Sequence, residues 1–140
     1  IWESGHNGIE YIKNLISKVD IIKPSEVDAE RIFGPDTPAN QVKKFINLGA
    51  KLVIMTLGKD GAIVTNGIET ITFQTLATEI IDTTGAGDAF WSGFYTGMVK
   101  GYTLNDALNL GFGVSAFNLK YVGAIVNLPT IQEIKNIYNI

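Results

Sequence analysis

The sequence predicts an α/β fold, a parallel sheet with helices on both faces, and three observations carry that expectation. Leu52-Val53-Ile54-Met55 is continuously apolar, the pattern of a strand covered on both sides. Segments with apolar residues at helical spacing alternate with such runs, as a parallel sheet requires. Asn66-Gly67 separates two β-rich stretches, 62–65 and 68–73, and so adds an antiparallel hairpin.

Each element follows from local chemistry. Ile9, Ile12, Leu15 and Ile16 make an amphipathic helix over 8–18, and 19–22 reads as a short buried strand. Pro24 ends that strand, Ser25 caps a helix over 26–33, and Gly34-Pro35 closes it. Pro38 restarts a helix through Asn47. Gly58-Lys59-Asp60-Gly61 makes a tight turn after the apolar strand. A helix over 86–99 carries Phe90, Phe94 and Met98 as one stripe, with Gly93 and Gly97 small enough to admit a close neighbour. A further helix runs over 105–120, Gly123 breaks the chain, and Pro129-Thr130 opens a last helix through Tyr138.

The bulk properties narrow the function. The chain has 140 residues, 46% apolar and 18% charged, which suits one folded domain and excludes wholesale disorder. A net charge of −3 without a basic stripe argues against nucleic acid as a partner, and Lys43-Lys44 reads as a solvated helix face. Without cysteine there is no disulfide, thiol catalysis or cysteine-ligated metal. No apolar run has a membrane-spanning length, so no membrane partner and a cytoplasmic location are expected. The single histidine, His6, reads as a surface loop residue.

The chemistry is concentrated in Asp82-Thr83-Thr84-Gly85-Ala86-Gly87-Asp88-Ala89-Phe90. Two glycines fall where an extended segment becomes a helix, and the first helical amides lack internal partners. Those amides also sit at the positive end of the helix dipole, which suits a phosphate. Asp88, in the first turn, is near enough to take a proton from a hydroxyl that attacks that phosphate. A dinucleotide fingerprint fails because Phe90 replaces its third glycine and Asp106 opens a helix instead of ending a strand. A Walker phosphate loop fails for want of a lysine and hydroxyl after the last glycine. An ordinary turn with a favourable first-turn carboxylate is the bland alternative.

The whole run resembles the C-terminal signature of the ribokinase-like (PfkB) carbohydrate kinases, and three further segments follow in that family's order. The resemblance implies a ribokinase-like sandwich, ATP-dependent phosphorylation of a sugar hydroxyl, Asp88 as base, and Gly85, Ala86 and Gly87 as the anion hole. Thr56, Gly58, Lys59 and Gly61 then belong to a second nucleotide-binding turn, and Gly111 and Ser115 to the adenine wall. Ser25 and Asp28 match a segment that positions phosphate and water-bound magnesium, with Ser25 for Asn, Asp28 for Glu, and Glu26 as an alternative to Asp28. A plain helix cap explains the same residues. Asp82, Thr84, Asn118, Tyr121, Gly123 and Asn127 match a loop that holds a monovalent cation such as potassium.

Ile1-Trp2-Glu3 and Phe90-Trp91-Ser92-Gly93-Phe94 resemble fructokinases most, with ribose, 2-keto-3-deoxygluconate or a nucleoside as other acceptors. The family's sugar-binding N-terminal part and β lid have no counterpart in 1–140. The chain is thus expected to be a single ATP-binding, catalytic C-terminal part of a larger kinase, compatible with a homodimer of the full-length protein. A nucleotide-binding module without catalysis is the competing expectation.

Overall fold

The computed structural model describes residues 8–140, which divide between Gln74 and Thr75 into two compact units. The readings of Ile1-Trp2-Glu3 and of His6 lie outside the described residues.

The first unit contains α1 (Gly8–Ile16), β1 (Ile21–Ile22), α2 (Glu26–Phe33), α3 (Pro38–Asn47), β2 (Leu52–Thr56), β3 (Ala62–Thr65) and β4 (Thr70–Phe73), with a 3₁₀ turn over Gly58–Asp60. The sheet order is β1-β2-β3-β4. Only β1 and β2 are parallel, while β2–β3 and β3–β4 run antiparallel. The parallel sheet expected from the sequence is therefore mixed, and the hairpin supplies the antiparallel part. Its loop is longer than Asn66-Gly67, because Thr65 pairs with Thr70. Asn66 Oδ1 accepts the amides of Ile68 and Glu69 at 2.9 and 2.8 Å, which holds both residues out of the ladder.

Helix boundaries in this unit follow the caps. Ser25 begins α2 in a capping box with Asp28, and Thr37 begins α3 with Pro38 in its first turn. Val19, expected in the first strand, instead turns back after α1, its amide 3.4 Å from the Ile16 carbonyl. Phe45, Val42, Val53, Met55 and Ile63 form the core, with α3 packed on β2 and β3.

The second unit is built from α4 (Ala86–Val99), α5 (Leu104–Asn118) and α6 (Ile131–Tyr138). Thr103 caps α5 one residue earlier than Asn105 would suggest. The α4–α5 crossing is close because glycines lie in it. A Cβ on Gly93 would come 2.8 Å from the Leu110 carbonyl oxygen, and one on Gly111 would come 2.9 Å from the Phe90 ring. Phe90 and Phe94 are buried as expected, but Met98, placed in the same stripe, is 43% exposed. Among the described residues no helix is long and apolar enough to cross a membrane.

Candidate active site

The helices α2, α3, α5 and α6 each begin on a hydroxyl residue, Ser25, Thr37, Thr103 or Thr130, that accepts an amide of the first turn. In α2, α5 and α6 the third helical residue is Asp28, Asp106 or Glu133, and that hydroxyl donates to its carboxylate at 2.7 Å. Such ends are closed. By contrast, α4 begins on Gly85, whose φ of 79° is left-handed and which offers no side-chain cap. Its third residue is Asp88, whose carboxylate is exposed and has no cap hydroxyl to draw it back. The Ala86 amide turns back to the Thr83 carbonyl at 3.3 Å, while those of Gly87 and Asp88 lie in the first turn, where the helix provides no acceptor. An open amide end thus lies beside a free carboxylate on one helical turn.

Side chains from α5 hold that end in place. Ser115 Oγ donates to the Ala86 carbonyl at 2.9 Å, and Asn118 Nδ2 donates to the Thr84 carbonyl at 2.9 Å. Ser115 and Asn118 are one helical turn apart, so they share a face and meet successive parts of the loop. Asp82 completes the frame. Its Oδ1 accepts the Thr84 amide and hydroxyl at 2.9 and 2.8 Å, and its Oδ2 accepts the Gly123 amide at 2.8 Å. These donors, the Thr84 amide foremost and the Gly123 amide next, hold the Asp82 carboxyl below its ordinary value of 3.8. Ala124 lies against Gly85 so closely that a Cβ there would meet its Cα and Cβ at 2.7 Å.

The residues expected around a monovalent cation fall on and beside this frame. A potassium ion exchanges its water for a ring of oxygen atoms with free lone pairs facing it. Here Asp82 accepts three hydrogen bonds, the Thr84 carbonyl accepts one from the Asn118 side-chain amide, and the Asn118 backbone carbonyl accepts the Tyr121 amide at 3.1 Å, each carbonyl keeping a second lone pair. Asn118, named as a ligand, presents a donor. Tyr121 and Asn127 are exposed.

Two other expectations change. Gly111, placed on the adenine wall, is buried beneath Phe90, and its missing Cβ makes room for α4. Ser115, placed there with it, spends its hydroxyl on Ala86. The roles of Ser115 and Asn118 as anchors of carbonyls, and of Ala124 as the wall against Gly85, went unread. Their only signal was the three-residue spacing of two polar side chains in an apolar helix.

In the first unit, Ser25 and Thr56 come together where the parallel strands end. They form a β-bridge, and the Thr56 amide donates to the Pro24 carbonyl at 3.0 Å. Crevices at the carboxyl ends of parallel strands are the usual ligand positions of open α/β sheets. Thr56 leads into the 3₁₀ turn, where Gly58 and Gly61 have φ of 56° and 88° and Lys59 is exposed. Asp28 is drawn onto Ser25, accepting its amide at 2.9 Å and its hydroxyl at 2.7 Å, so the cap reading of this pair is the one the geometry displays. Among the described residues no group of three or more acidic or histidine side chains could hold a metal ion by itself.

Known proteins resemble this chain in sequence and in fold. The model of the pfkB family of carbohydrate kinases matches residues 3–131. An ATP-dependent 6-phosphofructokinase of Thermoanaerobacterium thermosaccharolyticum is 73% identical over all of this chain, which spans 44% of that protein. The structure resembles Arabidopsis thaliana ribokinase complexed with ribose and ATP, with a TM-score of 0.79 and 27% identity over 91% of this chain and 43% of that one. It also resembles Vibrio cholerae fructokinase in its fructose, ADP and calcium form, with a TM-score of 0.82 and 26% identity over 93% and 44%. The chain thus spans less than half the length of these relatives. Its α/β fold is ribokinase-like, and the chain belongs to the pfkB family of carbohydrate kinases.

Proposed function

We propose that the longer protein containing this chain transfers the γ-phosphoryl group of ATP to a hydroxyl of a phosphorylated fructose, and that this chain supplies the ATP side and the base. The observation that carries the reading is the uncapped start of α4, with open amides at Gly87 and Asp88 and an exposed Asp88 carboxylate beside them. Asp88 takes the hydroxyl proton as the sugar oxygen bonds to the γ-phosphorus and the bond to ADP breaks. The open amides of Gly87 and Asp88 steady the charge on the transferring oxygens, which is most of what a loose phosphoryl-transfer transition state needs. Thr56, Gly58, Lys59 and Gly61 are assigned to a nucleotide-binding turn at the end of β2.

Magnesium, when bound, neutralises the β- and γ-phosphates. Asp28, held onto Ser25 through its Oδ2, is the carboxylate assigned to that ion through water. The fructose phosphate acceptor rests on the 73% identical relative and supersedes plain fructose as the favoured sugar. The catalysis is assigned to the cytoplasm.

The test uses the full-length protein, ATP and magnesium, with ADP release measured on fructose 6-phosphate, fructose and ribose. Fructose 6-phosphate is expected to be turned over fastest. Asp88→Asn is expected to lower kcat by about 10² to 10⁴ without lowering Tm, and an unchanged kcat would remove Asp88 from its role.

A further inference from the structure

We propose that Asn118 is a positioning residue for phosphoryl transfer: its side-chain amide holds the Thr84 carbonyl and so locks the turn over 83–86 in the form that leaves amides, not a carbonyl, at the open end of α4. The inference rests on the kinase reading above. Asn118 is 2% exposed on a helix whose other buried residues are all apolar or glycine. A buried amide on such a face is costly unless it is paired, and its Nδ2 is paired with the Thr84 carbonyl oxygen, 2.9 Å away and 34 positions earlier.

The backbone around Thr84 shows why that bond matters. The Ala86 amide lies 3.3 Å from the Thr83 carbonyl, which closes a four-residue turn with Thr84 and Gly85 at its centre. Gly85, at φ 79° and ψ −4°, has the conformation that a type II turn requires of its third residue. Types I and II differ by rotation of the central peptide, here the Thr84–Gly85 unit, and a glycine in the third position admits both. The flanking bond from Ala86 to Thr83 is compatible with either form. It cannot choose between them.

Asn118 makes the choice. A trans peptide is planar, so the Thr84 carbonyl and the Gly85 amide point in opposite directions from one rigid unit. With the carbonyl held on the Asn118 amide, the Gly85 amide is turned away from that side chain. Rotation of the unit would put a carbonyl oxygen there instead, one residue before α4, where its partial negative charge opposes a phosphate held by the Gly87 and Asp88 amides. The helix gives no help, because its ladder begins with the Gly85 carbonyl, which accepts the Ala89 amide at 2.8 Å. Ser115 acts further on, at the Ala86 carbonyl, and leaves the Thr84–Gly85 unit untouched.

The test measures ADP release by the full-length protein with ATP, magnesium and fructose 6-phosphate, fructose or ribose, beside Asn118→Ala and Asn118→Leu. Leucine keeps the branched shape of asparagine without its donor, so it serves where alanine loosens the fold. One buffer is used throughout, which gives all three proteins the same ions. Well below the Tm of each variant, kcat is expected to fall by about 10- to 100-fold, as misplaced catalytic geometry does. The KM for ATP and for the sugar is expected to stay near the parent's, the mark of an interaction that counts in the transition state. Inhibition by ADP with aluminium fluoride, a mimic of the phosphoryl group in transfer, is expected to weaken with kcat, and inhibition by ADP alone is not. A lowered Tm with unchanged kcat in both variants overturns the inference and leaves the kinase reading standing. A raised KM for ATP with unchanged kcat overturns it also, because Asn118 would then serve nucleotide binding alone. A parent that turns over none of the three sugars overturns the kinase reading and this inference with it.

Discussion

Ser115 and Ala86, 29 positions apart in sequence, are joined by a 2.9 Å hydrogen bond from the hydroxyl to the carbonyl. The bond ties the middle of α5 to the first residue of α4. Ser115→Ala removes a second donor from a carbonyl that keeps its place in the α4 ladder, at a cost of about 0.5–1.5 kcal/mol. A fall in Tm and in kcat is expected, with the KM for ATP little changed, because the hydroxyl points at the backbone. A raised KM with unchanged Tm would return Ser115 to the nucleotide.

Gly85 and Gly87 should respond differently to the same added methyl group. Gly85→Ala forces a left-handed residue and drives its Cβ to 2.7 Å from Ala124, so both stability and turnover should fall. Gly87 lies inside α4, where alanine is favoured over glycine by about 0.8–1.0 kcal/mol. Gly87→Ala is therefore expected to keep or raise Tm. If its amide meets phosphate, kcat falls all the same. Paired unfolding and turnover measurements distinguish a folding glycine from a ligand-facing one.

How far the sequence could be read depended on how local each cause was. Pro38, Ser25 and Thr130 act within one turn, and the helices over 26–33, 38–47 and 86–99 were legible to the residue. The uncapped start of α4 followed from the glycine pair in the same local way, whereas the chemistry assigned to Asp88 came from the resemblance of the whole run from Asp82 to Phe90, because a glycine pair and a carboxylate also make an ordinary turn. Neither Asn118 nor Gly111 could be placed this way. Whether a buried asparagine holds an ion or a carbonyl, and whether a glycine faces a ligand or Phe90, depends on partners 34 and 21 positions away. The mixed sheet was half visible, because Asn66-Gly67 announced the hairpin but not that it begins directly from the parallel strand β2.

The α4–α5 crossing gives a third expectation. A Cβ on Gly93 would meet the Leu110 carbonyl oxygen at 2.8 Å and Val114 Cγ2 at 2.9 Å, and backbone cannot yield as a side-chain tip can. Gly93→Ala is expected to destabilise by about 1–3 kcal/mol through overpacking, against a small gain in helix propensity. Denaturant unfolding would measure the difference. A more stable variant would mean that the two helices can move apart freely, and that the glycine does not set their spacing.

Acid should weaken the protein through three identifiable carboxylates. Asp36 is lowered from 3.8 to about 2, first by its hydrogen bond from Lys44 and then by that from Asn40. Asp82 is lowered by the Thr84 and Gly123 amides, and Glu133 is lowered from 4.5 by the Thr130 hydroxyl and amide. Each folded-state value lies below its unfolded one, so each carboxylate stabilises the fold above about pH 4.5 and loses that effect as pH falls through the folded value. Stability from these groups is expected to be level near neutrality and to decline from about pH 4.5 towards 2. Asp36→Asn and Asp82→Asn should each flatten part of that decline. Salt separates the two, because the Asp36–Lys44 attraction is between charges and is screened, whereas Asp82 is held by neutral donors. Urea unfolding at pH 3 and pH 6, with and without added salt, checks both. A parent whose stability is unchanged between those two pH values would show that these hydrogen bonds do not discriminate between the ionised and neutral carboxyl.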